Sequence, residues 1–131
     1  MHFLGIFLAA VAMFAIGSVW YSPLLFIKAW LREAGMDPSQ KPDSQTMMKT
    51  FGATFLLLLI CAAVLDQVIT NWTSEQGVFH GLWVGFLGGV IAAATTAINY
   101  LFEKKSRTLF LINAGYNVLG FCVMGVILSL I

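Results

Sequence analysis

The chain has 131 residues, of which 60% are hydrophobic and 10% are charged, and its formal net charge is +1. Soluble domains carry about 25% charged residues, so this composition excludes a fully water-facing surface and predicts a membrane protein. The near-neutral charge, with no basic patch interleaved with aromatic residues, argues against a nucleic-acid partner.

Four continuous apolar runs are long enough to be membrane-spanning helices, which need about 20 apolar residues each. They cover residues 3–20, 50–69, 78–102 and 108–131. The first run lacks the basic start of a signal peptide, so we expect it to be kept as a span. The runs do not alternate in polarity, which excludes a small β-barrel. The sequence therefore predicts an all-α membrane protein with one four-span domain over residues 1–131.

The basic residues occupy only two connecting segments of this predicted topology. The segment between the first two spans and the segment between the last two together carry Lys28, Arg32, Lys41, Lys49, Lys104, Lys105 and Arg107. Cytoplasmic loops are rich in Lys and Arg, so we expect both termini on the outer side of the membrane. Such a one-sided bias predicts a single orientation, so any homo-oligomer, with a dimer favoured, should be parallel.

The segment after the first span predicts a short helix at residues 23–34, lying in the inner membrane interface. Its aromatic positions share one arc and its basic positions another, a pattern typical of interfacial helices. Trp20 and Tyr21 precede it at the end of the span, where amphipathic aromatic residues prefer the interface. The helix would serve as an anchor for the first span, or as a docking element or lid. The candidate lipid or partner contacts are Trp20, Tyr21, Phe26, Lys28, Trp30 and Arg32.

Two ionisable residues lie at matching depth near the outer ends of the second and third spans. These are Asp66 and His80. A carboxylate and an imidazole at this depth would form a candidate proton relay. The simpler interpretation is a solvated charge at a helix end beside an interfacial histidine. Two such residues are too few to predict a metal site.

The third span carries a small residue at every fourth position, which places these residues on one helix face. Small residues let helix backbones approach closely in lipid. We expect this face to pack against a neighbouring span, with the third helix in a central position. The alternative is a seam between two copies of the chain. The predicted packing residues are Gly81, Gly85, Gly89 and Ala93.

Polar residues in the inner halves of the last two spans predict a polar layer between these helices. Polar groups inside the membrane usually face the bundle interior and mark candidate sites. The simpler interpretation is hydrogen bonding between helices, and the alternative is a substrate or ion site. The candidate residues are Asn113, Tyr116, Asn117, Thr95, Thr96 and Asn99.

Several segments together resemble the DUF1761 family of small, mostly bacterial membrane proteins of unknown function. They are WYSPLLF at residues 20–26 with Trp30, LFE at 101–103, LFLINAGY at 109–116 and MGVIL at 124–128. The resemblance covers essentially the whole chain. It implies membrane residence, most simply in a bacterial inner membrane, with four spans and a retained first span. It supplies no substrate, cofactor or catalytic residue.

Three functions compete at this stage. The first is a lipid- or partner-binding accessory membrane protein, acting as a parallel homo-oligomer through the inner aromatic helix. The second is a small proton-coupled transporter or channel that uses Asp66 and the polar face of the last two spans. The third, an intramembrane enzyme, has the weakest support, because the sequence has no acid–base–nucleophile set and no motif for a cofactor or metal.

Overall fold

The computed structural model describes residues 2–37, 43–72 and 77–131, with the side chain of Trp72 left out. Lys41, one of the basic residues of the first connecting segment, lies outside this part of the chain. The described residues form five helices and contain no strand. The helices are α1 (Phe3–Trp20), α2 (Ile27–Ala34), α3 (Ser44–Trp72), α4 (Val78–Glu103) and α5 (Arg107–Leu130).

Four of these helices, α1, α3, α4 and α5, are long and apolar enough to cross a membrane. Their mean hydropathies over the most apolar window are 2.2, 2.2, 1.7 and 1.8. Large apolar side chains point outward along them, for example Leu57, Ile91 and Leu111, which are each more than 60% exposed. A lipid environment removes the cost of that exposure. The prediction of an all-α fold is confirmed for the described residues, and four of its helices are long and apolar enough to span a membrane.

The central helix is α5, which contacts each of the other four helices. In contrast, α4 packs extensively on α5 and only lightly on α3. The prediction of a central third span was therefore wrong. The reason is that α5 carries small residues of its own, Gly115, Gly120 and Gly125, which admit neighbours on several sides.

The glycine face of α4 lies directly against the backbone of α5. A Cβ added at Gly85 would collide with the carbonyl oxygen of Phe121, and one at Gly89 would lie 2.8 Å from the Cα of Val118. Gly81 and Gly125 meet in the same way, each against the carbonyl of the other. Because α5 already covers this face, the face is not free to form a seam between copies.

A tight corner separates α1 from α2. The backbone N–H of Phe26 donates to the carbonyl of Trp20 over 3.1 Å, and the Ser22 hydroxyl accepts from the N–H of Leu24 over 3.2 Å. These turns occupy residues 21–26, so α2 begins at Ile27 and is shorter than the helix predicted at 23–34. It ends at Ala34 and is capped by Gly35, whose φ of 73° is left-handed and favours glycine.

The bundle has two chemically different ends. The end that carries α2 also holds the start of α3 and α5 and the end of α4, and we call it the α2 end. The opposite end gathers His2, Asp66, His80 and Ile131 around one cavity, and we call it the terminal end.

Candidate functional site

A cavity of about 630 Å³ opens at the α2 end, between α1, α2, α3 and α5. We call it the aromatic cavity, because rings form much of its wall. Its volume falls within the range of about 300–1,000 Å³ that small-molecule sites occupy. The lining residues come from all four helices and the corner: Phe14, Gly17, Ser18, Tyr21, Ile27, Trp30, Thr50, Phe51, Thr54, Asn113 and Tyr116.

The corner after α1 is fastened to α5 by two hydrogen bonds. Trp20 donates from its indole Nε1 to the carbonyl of Ile112 over 2.8 Å. Tyr21 donates from its hydroxyl to Asn113 Oδ1 over 2.6 Å. The Trp20 ring lies so close to Gly115 that a Cβ there would be 3.0 Å from the ring. The polar atoms of Trp20 and Tyr21 are therefore used in hydrogen bonds to α5 of the same chain.

Asn113 joins three elements through its amide. It accepts from Tyr21, and its Nδ2 donates to the Tyr100 hydroxyl of α4 over 2.6 Å. Tyr116, one turn further along α5, donates to the carbonyl of Met13 over 3.2 Å and lies against Gly17. Burial raises the pKa of the Tyr21 phenol, with further contributions from Tyr116 and Tyr100, so it stays protonated and remains a donor.

Two further hydroxyl groups of the aromatic cavity, those of Ser18 and Thr54, are turned toward their own helices. The Ser18 hydroxyl donates to the carbonyl of Phe14 over 3.0 Å, and the Thr54 hydroxyl donates to that of Thr50 over 2.7 Å. A hydroxyl whose proton is used in this way offers only lone pairs to a neighbour. The cavity therefore presents a mostly apolar wall with a few acceptors and fixed aromatic faces, which suits an apolar chain or ring.

The predicted polar layer between the last two spans is only partly brought together. Asn113 and Tyr116 line the aromatic cavity. Thr95 and Thr96 instead donate to backbone carbonyls of their own helix. Asn99 is exposed, and Asn117 is half-buried outside this cavity. Ala93, the last residue of the predicted small-residue face, is also half-buried.

The two arcs of α2 face different surroundings. Phe26, just before the helix, packs on Trp20 with ring centroids 4.8 Å apart and the ring planes tilted by 46°, and Trp30 meets Tyr21 edge-on at 6.1 Å. Lys28 and Arg32 are exposed on the other side. The aromatic arc thus closes one wall of the aromatic cavity, while the basic arc faces away from the bundle.

A smaller and more polar cavity, of about 250 Å³, occupies the terminal end. We call it the polar cavity; it is lined by His2, Asp66, Ile69, Thr70, Gly77, His80, Leu128, Ser129 and Ile131. Asp66 is only 1% exposed. The interpretation of Asp66 as a solvated helix-end charge was therefore wrong, because the N-terminal segment and α5 cover it.

The polar partner of Asp66 in the structure is His2. The His2 Nδ1 lies 3.2 Å from Asp66 Oδ1, and the backbone N–H of His2 donates to Asp66 Oδ2 over 3.4 Å. His80 lines the same cavity, but its Nε2 is buried and has no hydrogen-bond partner among the described residues. In the described part of the chain, no group of three or more His, Cys, Asp or Glu side chains is arranged to hold a metal ion.

Tyr100 and His2, whose side chains hold lining residues of these cavities, were not selected from the sequence. Tyr100 holds Asn113, and its position near the inner end of the third span was a usable signal. His2 holds Asp66, and the predicted topology did place both at the same end. Helix rotation decides which of the residues at one end meet, and the sequence pattern contains no measure of that rotation.

Comparison with known proteins adds a family and no established activity. The family model described as a protein of unknown function (DUF1761) matches residues 4–129. No curated protein and no solved structure matches the chain.

Proposed function

The chain belongs to the DUF1761 family, and from the cavities of this member we propose that it is an integral membrane protein that binds an amphipathic lipid at the α2 end. In this proposal one acyl chain enters the aromatic cavity. The observation that carries the proposal is the cavity itself: about 630 Å³, walled by Phe14, Phe51, Trp30 and other aromatic residues. Burying an acyl chain there gains contacts with rigid rings that need no reordering.

The surroundings of the aromatic cavity favour an anionic headgroup. Lys28 follows the lining residue Ile27, and Lys49 precedes the lining residue Thr50. Both lysines are exposed, as is Arg32 one turn further along α2. Each basic residue near a membrane surface contributes about 1 kcal/mol of attraction to anionic lipid. We therefore assign phosphatidylglycerol-like lipids to this site over zwitterionic ones.

A second groove, of about 580 Å³ between α3 and α4, makes a useful contrast. It is lined by aliphatic residues with Cys61, Gly88 and Phe121, and it offers almost no polar group. Such a surface accepts any bilayer chain without fixing its position. The aromatic cavity differs because Asn113, Tyr21 and Tyr116 bring polar atoms to its wall.

The alternative, a proton-coupled transporter or channel, has a feature in its favour and one against it. Asp66 is a buried carboxylate, as a proton carrier would need to be. However, Asp66 and Asn113 line separate cavities at opposite ends of the bundle. Between them lie Met13 and Met124, which are 2% and 0% exposed, so transport would require the helices to separate.

The proposal places the α2 end in the cytoplasm of a bacterial cell, following the distribution of basic residues. A parallel homo-oligomer stays a prediction. Because α5 covers the glycine face of α4, a seam would have to use another face. Docking of a protein partner on α2 is the competing use of the same corner, and it predicts no dependence on lipid class.

The test measures lipid retention by native mass spectrometry of the purified full chain, reconstituted with equal amounts of phosphatidylglycerol and phosphatidylcholine. A Thr54→Trp variant fills the aromatic cavity. Thr95→Trp is its matched control, since Thr95 is exposed on α4 and its hydroxyl also bonds its own helix. We expect wild type and Thr95→Trp to retain phosphatidylglycerol preferentially, and Thr54→Trp to lose it.

Two further variants test the headgroup and the ring wall. Lys28→Glu should reduce the preference for phosphatidylglycerol, and Trp30→Ala should reduce retention of both lipids. Lys105→Glu is the charge control, because Lys105 is exposed in the α4–α5 connection and lines neither cavity. Equal retention by wild type and Thr54→Trp would exclude the aromatic cavity as the lipid site.

A further inference from the structure

The polar cavity at the terminal end has no place in the lipid proposal. Its volume of about 250 Å³ is below the range of about 300–1,000 Å³ typical of small-molecule sites, so it suits a ligand of only a few heavy atoms. Its chemistry is set by Asp66, whose carboxylate is 1% exposed and accepts from the backbone N–H of His2. A carboxylate has about four acceptor positions, so these contacts leave it able to accept more.

The hydroxyl oxygens of Thr70 and Ser129, which line the polar cavity, can also accept hydrogen bonds from a ligand. Thr70 donates its proton to the backbone carbonyl of Asp66, one turn earlier in α3. Ser129 donates its proton to the carbonyl of Val126 over 2.8 Å. With both protons engaged inside the helices, the two oxygens present lone pairs. The wall is therefore rich in acceptors and carries one negative charge.

His80 adds a buried nitrogen that, in the described part of the chain, has no hydrogen-bond partner at this cavity. Its Nε2 is buried and has no partner among the described residues, although buried polar atoms are normally satisfied. It lines the same cavity as Asp66. A group that donates hydrogen bonds to both the carboxylate and the imidazole would satisfy this nitrogen.

We propose that the polar cavity binds a small cation with N–H donors, namely ammonium or a small protonated primary amine. An anion would be repelled by the carboxylate of Asp66, and a ligand without N–H or O–H donors would leave the acceptors of the wall unsatisfied. A metal ion is a poorer match, because the described residues include no suitable group of three ligands. An ammonium group offers three or four donors to the carboxylate, the imidazole and the hydroxyl oxygens.

The test is isothermal titration calorimetry of the purified full chain in detergent with methylammonium chloride, at constant ionic strength. Tetramethylammonium chloride is the ligand control, because it carries the charge without an N–H donor. Asp66→Asn removes the charge at nearly constant size. Glu103→Gln, an acid-to-amide change at an exposed position in the last turn of α4, is the matched protein control.

We expect saturable methylammonium binding by wild type and Glu103→Gln, and no saturable binding of tetramethylammonium. Binding to Asp66→Asn should be weaker by about tenfold or more, as expected when a charged hydrogen-bond acceptor becomes neutral. If that variant does not fold, Ser129→Ala, which removes one acceptor and little volume, should weaken binding by a smaller factor. Equal binding by the folded variants and wild type, equal binding of the two ligands, or no saturable binding would each overturn the proposal.

This site is independent of the lipid proposal. Thr54→Trp alters the aromatic cavity and lines no part of the polar cavity, so it should bind methylammonium as wild type does. Loss of lipid with methylammonium binding intact would confirm that the two sites are separate. Loss of methylammonium binding in Thr54→Trp would overturn the local assignment to Asp66.

Discussion

The Tyr21 hydroxyl donates a 2.6 Å hydrogen bond to Asn113 Oδ1, and this bond ties the corner after α1 to the central helix α5. The same amide donates to Tyr100 on α4. One side chain therefore connects the corner, α5 and α4 beside the aromatic cavity. Removing the Asn113 side chain should loosen the packing at the α2 end without affecting the terminal end.

We predict that Tyr21→Phe destabilises the protein by about 1 kcal/mol, since it leaves Asn113 Oδ1 without its donor and keeps the ring contacts. The measurement is unfolding of the purified protein by titration with sodium dodecyl sulfate, followed by tryptophan fluorescence. A double-mutant cycle with Asn113→Ala isolates the pair. The double variant should be more stable than the sum of the two single losses implies. Strict additivity would mean that the bond contributes nothing.

The same residue predicts how stability changes in alkali. Burial raises the pKa of Tyr21 in the folded protein, so above the ordinary tyrosine pKa of about 10 the unfolded chain loses this proton while the folded chain keeps it. The contribution of Tyr21 is fully present below that pH and is lost as the pH rises further. Wild type should lose stability more steeply than Tyr21→Phe above about pH 10. Parallel curves would contradict an elevated pKa.

Orientation in the membrane is the next prediction. If the basic α2 end is cytoplasmic, an alkaline phosphatase fused after Ile131 should be active in bacterial cells. A Lys105→Cys variant, with Cys61 and Cys122 replaced by Ala, should react with a membrane-impermeant maleimide only after the inner membrane is permeabilised. Labelling in intact cells together with an inactive fusion would reverse the assignment. Partial labelling with partial activity would indicate mixed insertion.

The sequence predicts where the helices of this fold lie along the chain better than it predicts which helices and side chains meet. Continuous apolar runs locate the spanning helices, because lipid imposes length and hydrophobicity on each helix separately. The pairing of Asp66 with His2 was missed, because three ionisable groups share one end and only helix rotation selects between His2 and His80.

The packing of α4 is a second case in which the sequence locates a helix but not its neighbours. Its glycine periodicity predicts a close packing face, but α5 also carries small residues, and a stripe on one helix does not say which helix is central. Of the candidate site, Asn113, Tyr116, Tyr21 and Trp30 were all singled out from the sequence. The wall residues from α1 and α3, such as Phe14 and Thr54, were not. Nothing in their local pattern distinguishes them from residues that face lipid.

The glycine face of α4 gives a matched pair of variants for the last prediction. A Cβ at Gly85 would overlap the backbone carbonyl of Phe121, which cannot move without shifting α5. A Cβ at Gly88 would meet the Phe121 ring at 3.5 Å, an ordinary contact. Both sites lie in the interior of α4, so Gly→Ala gives the same gain in helix propensity at each. The difference between the two variants therefore reports helix packing alone.

We expect Gly85→Ala to destabilise the protein by about 1–3 kcal/mol, the usual cost of overpacking, and Gly88→Ala to change stability little. The measurement is the same detergent titration, with the midpoints of the two variants compared directly. Because Gly85 faces α5 of its own chain, the loss should not depend on protein concentration. If the loss instead grows on dilution, the glycine face packs against a second copy, and the assignment of α5 as its partner is wrong.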